Sequence, residues 1–345
     1  MGAGGSGNAG KLFFSMTYDF LESYLPRQVG RSPETVRSYR DALTVFRRYV
    51  NERLGKRISQ FTFADCSRDC VLGFVERMRE EGLSCGTCNQ RVSAIRCYLW
   101  YAADVDVALT SVALSVSRIP PLKGPQRLRE TLSEDALKAI FSMPDPTSKK
   151  GARDLAIMVL LYDSGIRLSE LLGLAVGDAT LAGGNPHVFV TGKGDKERVV
   201  PICDRTAAHI ARHVAMSHGR PPSRDAPLFF TRIKGEVRRM SPSNVERIVQ
   251  KYADAARETC PDIPSHVYPH MYRRSRATDL YQQGVELALV SRILGHASLE
   301  TTKVYAKPSM EMLREAMSHG VDADGAETPI WENDEELMAR LCGIR

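Results

Sequence analysis

Hydrophobic positions recur at helical period along most of the chain, and strand-like runs occur only in three short stretches. From Phe13 to about Ala103 four helical patterns follow one another across short breaks. The second opens at Ser32-Pro33-Glu34, with serine as N-cap, proline at the first helical position and an acid in the first turn. Its buried stripe is Val36, Tyr39, Leu43 and Phe46. Ser67 opens the third pattern through Leu72, Val75 and Met78 to Gly82, and Ser84 opens the fourth through Val92, Ile95, Leu99 and Trp100. Residues 104–130 lose this period, carry Pro120, Pro121 and Pro125, and read as a basic interdomain linker with Arg118, Lys123, Arg127 and Arg129.

Beyond the linker, Ser133 caps a helix through Leu137, Ile140 and Phe141, and Asp154 to Asp163 is apolar enough to be a helix buried on most sides. His187–Thr191 and Arg198–Pro201 flank Gly192-Lys193-Gly194-Asp195-Lys196 as an antiparallel hairpin with Lys193 at its tip. A helix from about Asp204, a short strand Leu228–Thr231 and a helix from Pro242 to about Arg257 follow. Pro269 then opens a helix over 270–283 whose apolar positions include Met271, Ala277, Leu280 and Tyr281, with Gly284 closing it. Val290, Ile293 and Leu294 form a further short run ended by Gly295. Tyr305 falls on a small segment that Pro308 terminates, Met310–Met317 continues helically, and Ile330–Leu341 has an apolar face of Trp331, Leu337, Met338 and Leu341.

The predicted fold class is mainly α with a small antiparallel β-sheet: an all-α N-terminal domain followed by a mixed α+β domain. The expected boundaries are a flexible lead-in or tag at 1–12, a helical domain at 13–103, the linker at 104–130, the second domain at 131–318 and an acidic tail with a short helix at 319–345. The tail's apolar face suits folding back on the same chain or docking onto a neighbouring copy.

Charge sharpens this division. Of the 345 residues, 11–130 hold 19 Lys and Arg against 13 Asp and Glu, 131–319 hold 26 against 21, and 320–345 hold 2 against 7. Two basic bodies followed by an acidic tail suit contact with a phosphate backbone. No apolar run approaches the roughly 20 residues that span a bilayer, and no apolar leader opens the chain, so a cytoplasmic protein without a membrane partner is expected. Eight cysteines in such a chain read as reduced thiols. The Cys66, Cys70, Cys85 and Cys88 spacing reads as buried small hydrophobes rather than a metal site, because Cys88 falls inside a helical pattern.

The candidate chemistry concentrates in residues 266–307. His270 and Arg273 are three apart on one helix, so two donors can share an anion, and His296 follows Gly295 at a helix-to-loop junction. Upstream, Gly165-Ile166-Arg167-Leu168-Ser169-Glu170 places an arginine beside a helix start. Taken singly each is an ordinary residue. In order, however, Gly-x-Arg-x-x-Glu, the hairpin Lys193, His270-Met271-Tyr272-Arg273, Leu294-Gly295-His296 and Tyr305 resemble the signature of the tyrosine recombinase (phage integrase) family. The stretch SCGTCNQRVSAIRCYLWYA is similar to the last helix of that family's core-binding domain.

The resemblance covers about residues 13–318. It implies a mobile-element or Xer-like site-specific recombinase that cleaves and rejoins double-stranded DNA through a 3′-phosphotyrosyl intermediate, without metal or small-molecule cofactor. It further implies homo-oligomers on DNA, with a tetramer in the synapse. By the same resemblance Tyr305 is the nucleophile, Arg167 and Arg273 clamp the phosphate, His270 manages the tyrosine proton, Lys193 protonates the leaving oxygen and His296 bonds the phosphate. Glu170 supports Arg167. The helical domain would grip DNA through Arg37, Arg40, Arg47, Arg48, Arg91 and Arg96, joined by Lys123 and Arg127 of the linker. Arg274 stands where many members have a second histidine, and Arg276 where an aromatic is frequent; Arg274 is a further DNA-contact candidate. A type IB topoisomerase would use the same chemistry, and a catalytically silent DNA-binding or architectural protein would keep the fold. The basic two-domain layout and the hairpin favour the recombinase over the first, and the nucleophile favours it over the second.

Overall fold

A computed structural model of the chain describes residues 10–124, 130–192, 197–218 and 221–295, together with Arg314 and Glu336. The chain divides into two compact units, residues 1–128 and 129–345.

The first unit is helical. A 3₁₀ turn (Phe13–Met16), one α turn (α1, Thr17–Asp19) and a π segment (Phe20–Gln28) lead into α2 (Pro33–Leu54), α3 (Arg68–Glu80), α4 (Cys85–Val105) and α5 (Thr110–Ser117). Ser32, Ser67 and Ser84 cap α2, α3 and α4 by accepting from the N–H of Thr35, Cys70 and Thr87. Phe13, Phe20, Phe46, Phe61, Phe63, Phe74 and Tyr98 form an aromatic interior. The cysteines Cys66, Cys70 and Cys88 are buried in the same core, where desolvation pushes the Cys70 thiol up to about 12.

Three expectations are corrected in this unit. Lys11 and Leu12, assigned to the lead-in, pair with the loop before α3: Leu12 bridges Thr62, and the Lys11 carbonyl accepts from the Phe63 N–H at 3.0 Å. The first half of the expected linker is α5, because Leu109, Ala113 and Val116 recur at helical spacing and pack into the core. Trp100 is 40% exposed rather than part of the buried stripe, and its indole N–H donates to Ser117 Oγ at 2.9 Å.

The second unit builds its core around α7 (Lys149–Ser164), packed against α6 (Glu134–Ser142), α8 (Leu168–Gly173), α9 (Asp204–Ser217), α10 (Pro242–Ala256) and α11 (Pro269–Gln282); α12 (Leu287–Leu294) packs on α11. α7 is apolar almost all round and its Ala156, Ile157, Met158 and Leu160 are fully enclosed, as the sequence pattern requires. The hairpin β2 (His187–Thr191) and β3 (Glu197–Pro201) is antiparallel, and a two-residue strand β1 (Ala179–Thr180) extends it to three strands in the order β1-β2-β3. The single strand expected at 228–231 is half of a second hairpin, β4 (Phe230–Ile233) with β5 (Glu236–Arg239). Lys234 and Gly235, both at positive φ, make its two-residue turn. Among the described residues the fold is therefore mainly α with two small antiparallel sheets.

His213 on α9 is buried, stacked on Phe229, with its Nε2 at 2.9 Å from the Leu228 carbonyl, to which it donates. Desolvation lowers its pKa to about 4, against the small raising effect of that hydrogen bond. Among the described residues no helix is long and apolar enough to cross a membrane.

Candidate active site

The second unit brings three arginines from separate parts of the chain onto two tight helix ends. α7 stops at Gly165 (φ +59°), and α12 stops at Gly295 (φ +64°), a conformation open to glycine at little steric cost. A Cβ on Gly165 would lie 2.8 Å from Leu294 Cδ2, and one on Gly295 would lie 2.8 Å from Arg198 Cζ. The two glycines thus let the helix ends and the arginines approach one another.

Helix C-termini leave carbonyl oxygens unpaired and carry partial negative charge, and here guanidinium groups meet them. Arg273 donates through Nη1 to the Gly165 carbonyl at 2.6 Å and through Nη2 to the Leu294 carbonyl at 2.8 Å. Arg167 donates to the Gly295 carbonyl at 2.9 Å, and Arg198 reaches the Leu294 carbonyl at 3.4 Å. One carboxylate ties two of these groups together. Glu170 accepts from Arg167 Nη1 at 2.8 Å and from the Arg167 backbone N–H at 2.8 Å. It also accepts both ends of the Arg198 fork, each at 2.9 Å. Burial raises the Glu170 carboxyl, but the Arg198 hydrogen bonds and the Arg167 backbone N–H outweigh it and hold the group below its ordinary value.

Three guanidiniums around one carboxylate leave a positive surplus at the helix ends. The Arg273 side chain is fully enclosed and that of Arg198 is mostly so, whereas the Arg167 side chain is 38% exposed. Arg167 is therefore the member of the trio most open to a ligand. His270 is exposed at the start of α11 while Arg273 is buried one turn on, so the expected pair spans the rim of the site rather than sharing one open face.

Arg198 was not singled out from the sequence. Its signal lies in the alternation of β3, where Arg198 and Val200 share the inward face: a charged residue at a core-facing strand position requires a partner. Arg274 also departs from expectation. It is buried and donates to the Glu130 carbonyl at 2.9 Å and to Tyr268 Oη at 3.1 Å, so it ties the start of the unit to α11. Arg276 donates to the Asp163 carbonyl at 3.1 Å and lies over the Tyr162 ring, stapling α11 to the end of α7. Lys193, His296, Tyr305 and Arg127 lie outside the described residues, as does the acidic tail apart from Glu336.

In the first unit, Arg37, Arg40, Arg47 and Arg48 are exposed along α2, with Arg40 paired to Glu22 at 2.6 Å, and Lys123 is exposed beyond α5. Arg37 and the half-buried Arg91 line a groove of about 310 Å³ between α2 and α4. Arg96 instead donates to the carbonyls of Val116 and Ile119, closing the C-terminal end of α5.

Residues 130–312 match the model of the Phage integrase family, and residues 19–104 match that of the Phage integrase, N-terminal SAM-like domain. The chain is 32% identical over 299 residues to the tyrosine recombinase XerA of Thermococcus kodakarensis, covering 86% of this chain and 92% of that protein. It is 29% identical over 330 residues to the putative integrase/recombinase y4rC of Sinorhizobium fredii, covering 94% and 97%. In fold it is similar to the XerH recombinase in its post-cleavage complex with a palindromic difH substrate, with a TM-score of 0.65 at 23% identity over 87% of this chain and 83% of that one.

Proposed function

Because this chain belongs to the phage integrase family, the tyrosine site-specific recombinases that cleave and rejoin DNA, we propose that the helix-end arginine cluster is the phosphate-binding half of its active site. The observation that carries this reading is the convergence of Arg167 and Arg273 on the Leu294–Gly295 turn, immediately before His296. Breaking a phosphodiester without losing its energy needs a nucleophile, stabilisation of the phosphorane oxygens and a proton for the leaving oxygen. Tyr305 Oη attacks the phosphorus as the P–O5′ bond breaks, leaving the phosphate esterified to the tyrosine through its 3′ side. The phenolic proton passes to His270, and the 5′-oxygen takes its proton from Lys193. Arg167 and Arg273 offset the charge on the non-bridging oxygens, and His296 adds a hydrogen bond to them. Attack by the 5′-hydroxyl of another strand reverses each step, so strands are exchanged rather than hydrolysed.

Double-stranded DNA is the partner in this reading. The exposed arginines of α2 and the groove holding Arg37 and Arg91 position the first unit through phosphates, which favours affinity over sequence choice. Strand exchange between two duplexes calls for four copies, each supplying one tyrosine, with the acidic tail at 319–345 as the segment passed between neighbours. The functional division follows the two units: a DNA-gripping region in the first, which includes α5, and a catalytic region at 131–318 in the second.

The test is covalent capture. The full chain is incubated with sheared genomic DNA from its source, denatured in detergent, and the attached fragments are sequenced to give the site. Wild type is expected to yield an adduct that Tyr305→Phe does not form. Absence of an adduct from wild type, or its persistence in the phenylalanine variant, removes the assignment.

A further inference from the structure

We propose that Arg198 is a positioning residue for strand cleavage, setting both the guanidinium of Arg167 and the end of α12 from which His296 follows. The inference rests on the reading of Arg167 as a phosphate clamp.

The geometry gives Arg198 a place distinct from that of the clamp. Its two terminal nitrogens take both oxygens of Glu170 at 2.9 Å, the bidentate arrangement that fixes a carboxylate in plane and rotation. Glu170 in turn holds Arg167 twice, through the side chain and the backbone N–H. An arginine with a 38% exposed side chain has many rotamers open to it, and the carboxylate selects one. Without Arg198, Glu170 would be a nearly enclosed carboxylate, its side chain 3% exposed, with Arg167 as its remaining cationic partner among the described residues. The balance of attraction would then pull Arg167 inward onto Glu170 and away from a substrate phosphate.

The second contact of Arg198 is to the Leu294 carbonyl, which Arg273 also uses, and its guanidinium packs against Gly295 so closely that a Cβ there would touch it. Arg198 is also the second residue of β3, the strand that pairs with β2 in the hairpin. One side chain thus joins that hairpin, Glu170 and the end of α12. Arg198 itself lies behind Arg167, with 18% of its side chain exposed, and needs no contact with DNA to act.

The experiment measures single-turnover cleavage by the full chain at saturating protein. It uses a synthetic nicked duplex of the captured site in two forms, one with an ordinary scissile phosphate and one with a methylphosphonate there. The methylphosphonate lacks the negative charge that Arg167 offsets. Arg198→Met is expected to cleave the phosphate ~10²-fold more slowly than wild type, the scale of losing one oriented charge-stabilising donor. On the methylphosphonate the deficit should shrink to within about fivefold, following Arg167→Ala, because there is no charge left for a positioned guanidinium to stabilise. DNA affinity should change by less than about twofold, since no phosphate contact is removed. Arg198→Lys should show the same substrate pattern, because one ammonium cannot take both Glu170 oxygens together with the Leu294 carbonyl.

Wild-type rates on the phosphate for Arg198→Met or Arg198→Lys overturn the proposal. So does an equal slowing on both substrates, which marks a merely structural role. Where the methionine variant lacks a cooperative melt, the lysine variant decides by the same two rates. Failure of wild type itself to form an adduct overturns the assignment of function, and this inference with it.

Discussion

The arginines of α2 and those around the ends of α7 and α12 are the same residue type put to opposite physical uses. Arg37, Arg47 and Arg48 are exposed on a helix face, and the pair Arg40 with Glu22 is nearly half exposed on both sides, the setting in which an ion pair contributes ~0–1 kcal/mol. Arg167, Arg198 and Arg273 are tied to carbonyls and to Glu170, two of them mostly or wholly enclosed. Solvated arginines adapt to a phosphate backbone and act at a distance that salt controls. Fixed ones are organised before the substrate arrives, so little reorganisation is needed when charge develops. The lesson is that net charge alone does not locate a reaction centre; the degree to which each charge is held does.

The comparison predicts different failures for the two sets. The largest effect should come from Arg273→Met, which removes donors from the Gly165 and Leu294 carbonyls at once. Cleavage at saturating DNA should fall by at least ~10²-fold, and stability by about 1–3 kcal/mol for the loss of the Gly165 donor and the weakening at Leu294, which keeps only the longer Arg198 contact. Single-turnover kinetics and a denaturant melt check both; a loss confined to DNA affinity would place Arg273 with the α2 set instead. The double change Arg37→Gln with Arg47→Gln should do the reverse. Affinity should fall and the slope of log affinity against log salt should shrink by about 1.8 if each residue meets one phosphate, with the cleavage rate at saturation unchanged. A salt slope equal to wild type would remove these two residues from the DNA face.

The smallest effect expected is on acid stability, where the second unit should show two stages. His213 has a folded pKa depressed to about 4 from 6.5, so its neutral form contributes stability above 6.5 that is lost as pH falls towards about 4. Glu170 is likewise depressed, so its contribution is present above the ordinary glutamate range and is lost at lower pH as the carboxylate takes up a proton. Melts of His213→Phe should lose the first stage and melts of Glu170→Gln the second. An unaltered profile in either variant would dissociate that group from the acid response.

Much of the fold was legible because its signals are local. Ser32, Ser67, Ser84 and Ser133 cap the helices they were expected to open, Gly295 ends α12 as expected, and β2 pairs with β3. The misses have physical causes as well. α5 is short and rich in serine and valine, so its apolar positions stand out only when packed against α4. β5 is exposed at every position and offers no alternation to read. Arg96, Arg274 and Arg276 look like surface charges in sequence, and the structure directs all three to backbone carbonyls.

The sequence by itself determined where helices start and stop, the two basic bodies, and the order of motifs that marks the family, because capping, periodicity and charge depend on neighbours along the chain. Only the tertiary structure decided which arginines are held and by what. Residues 165, 167, 170, 198, 273 and 294 come from five different elements or their ends, and no local pattern reports that Glu170 takes the Arg198 fork or that Arg273 spans two helix ends. Unpaired carbonyls at a helix end demand a donor, but which donor arrives is settled by how the helices pack.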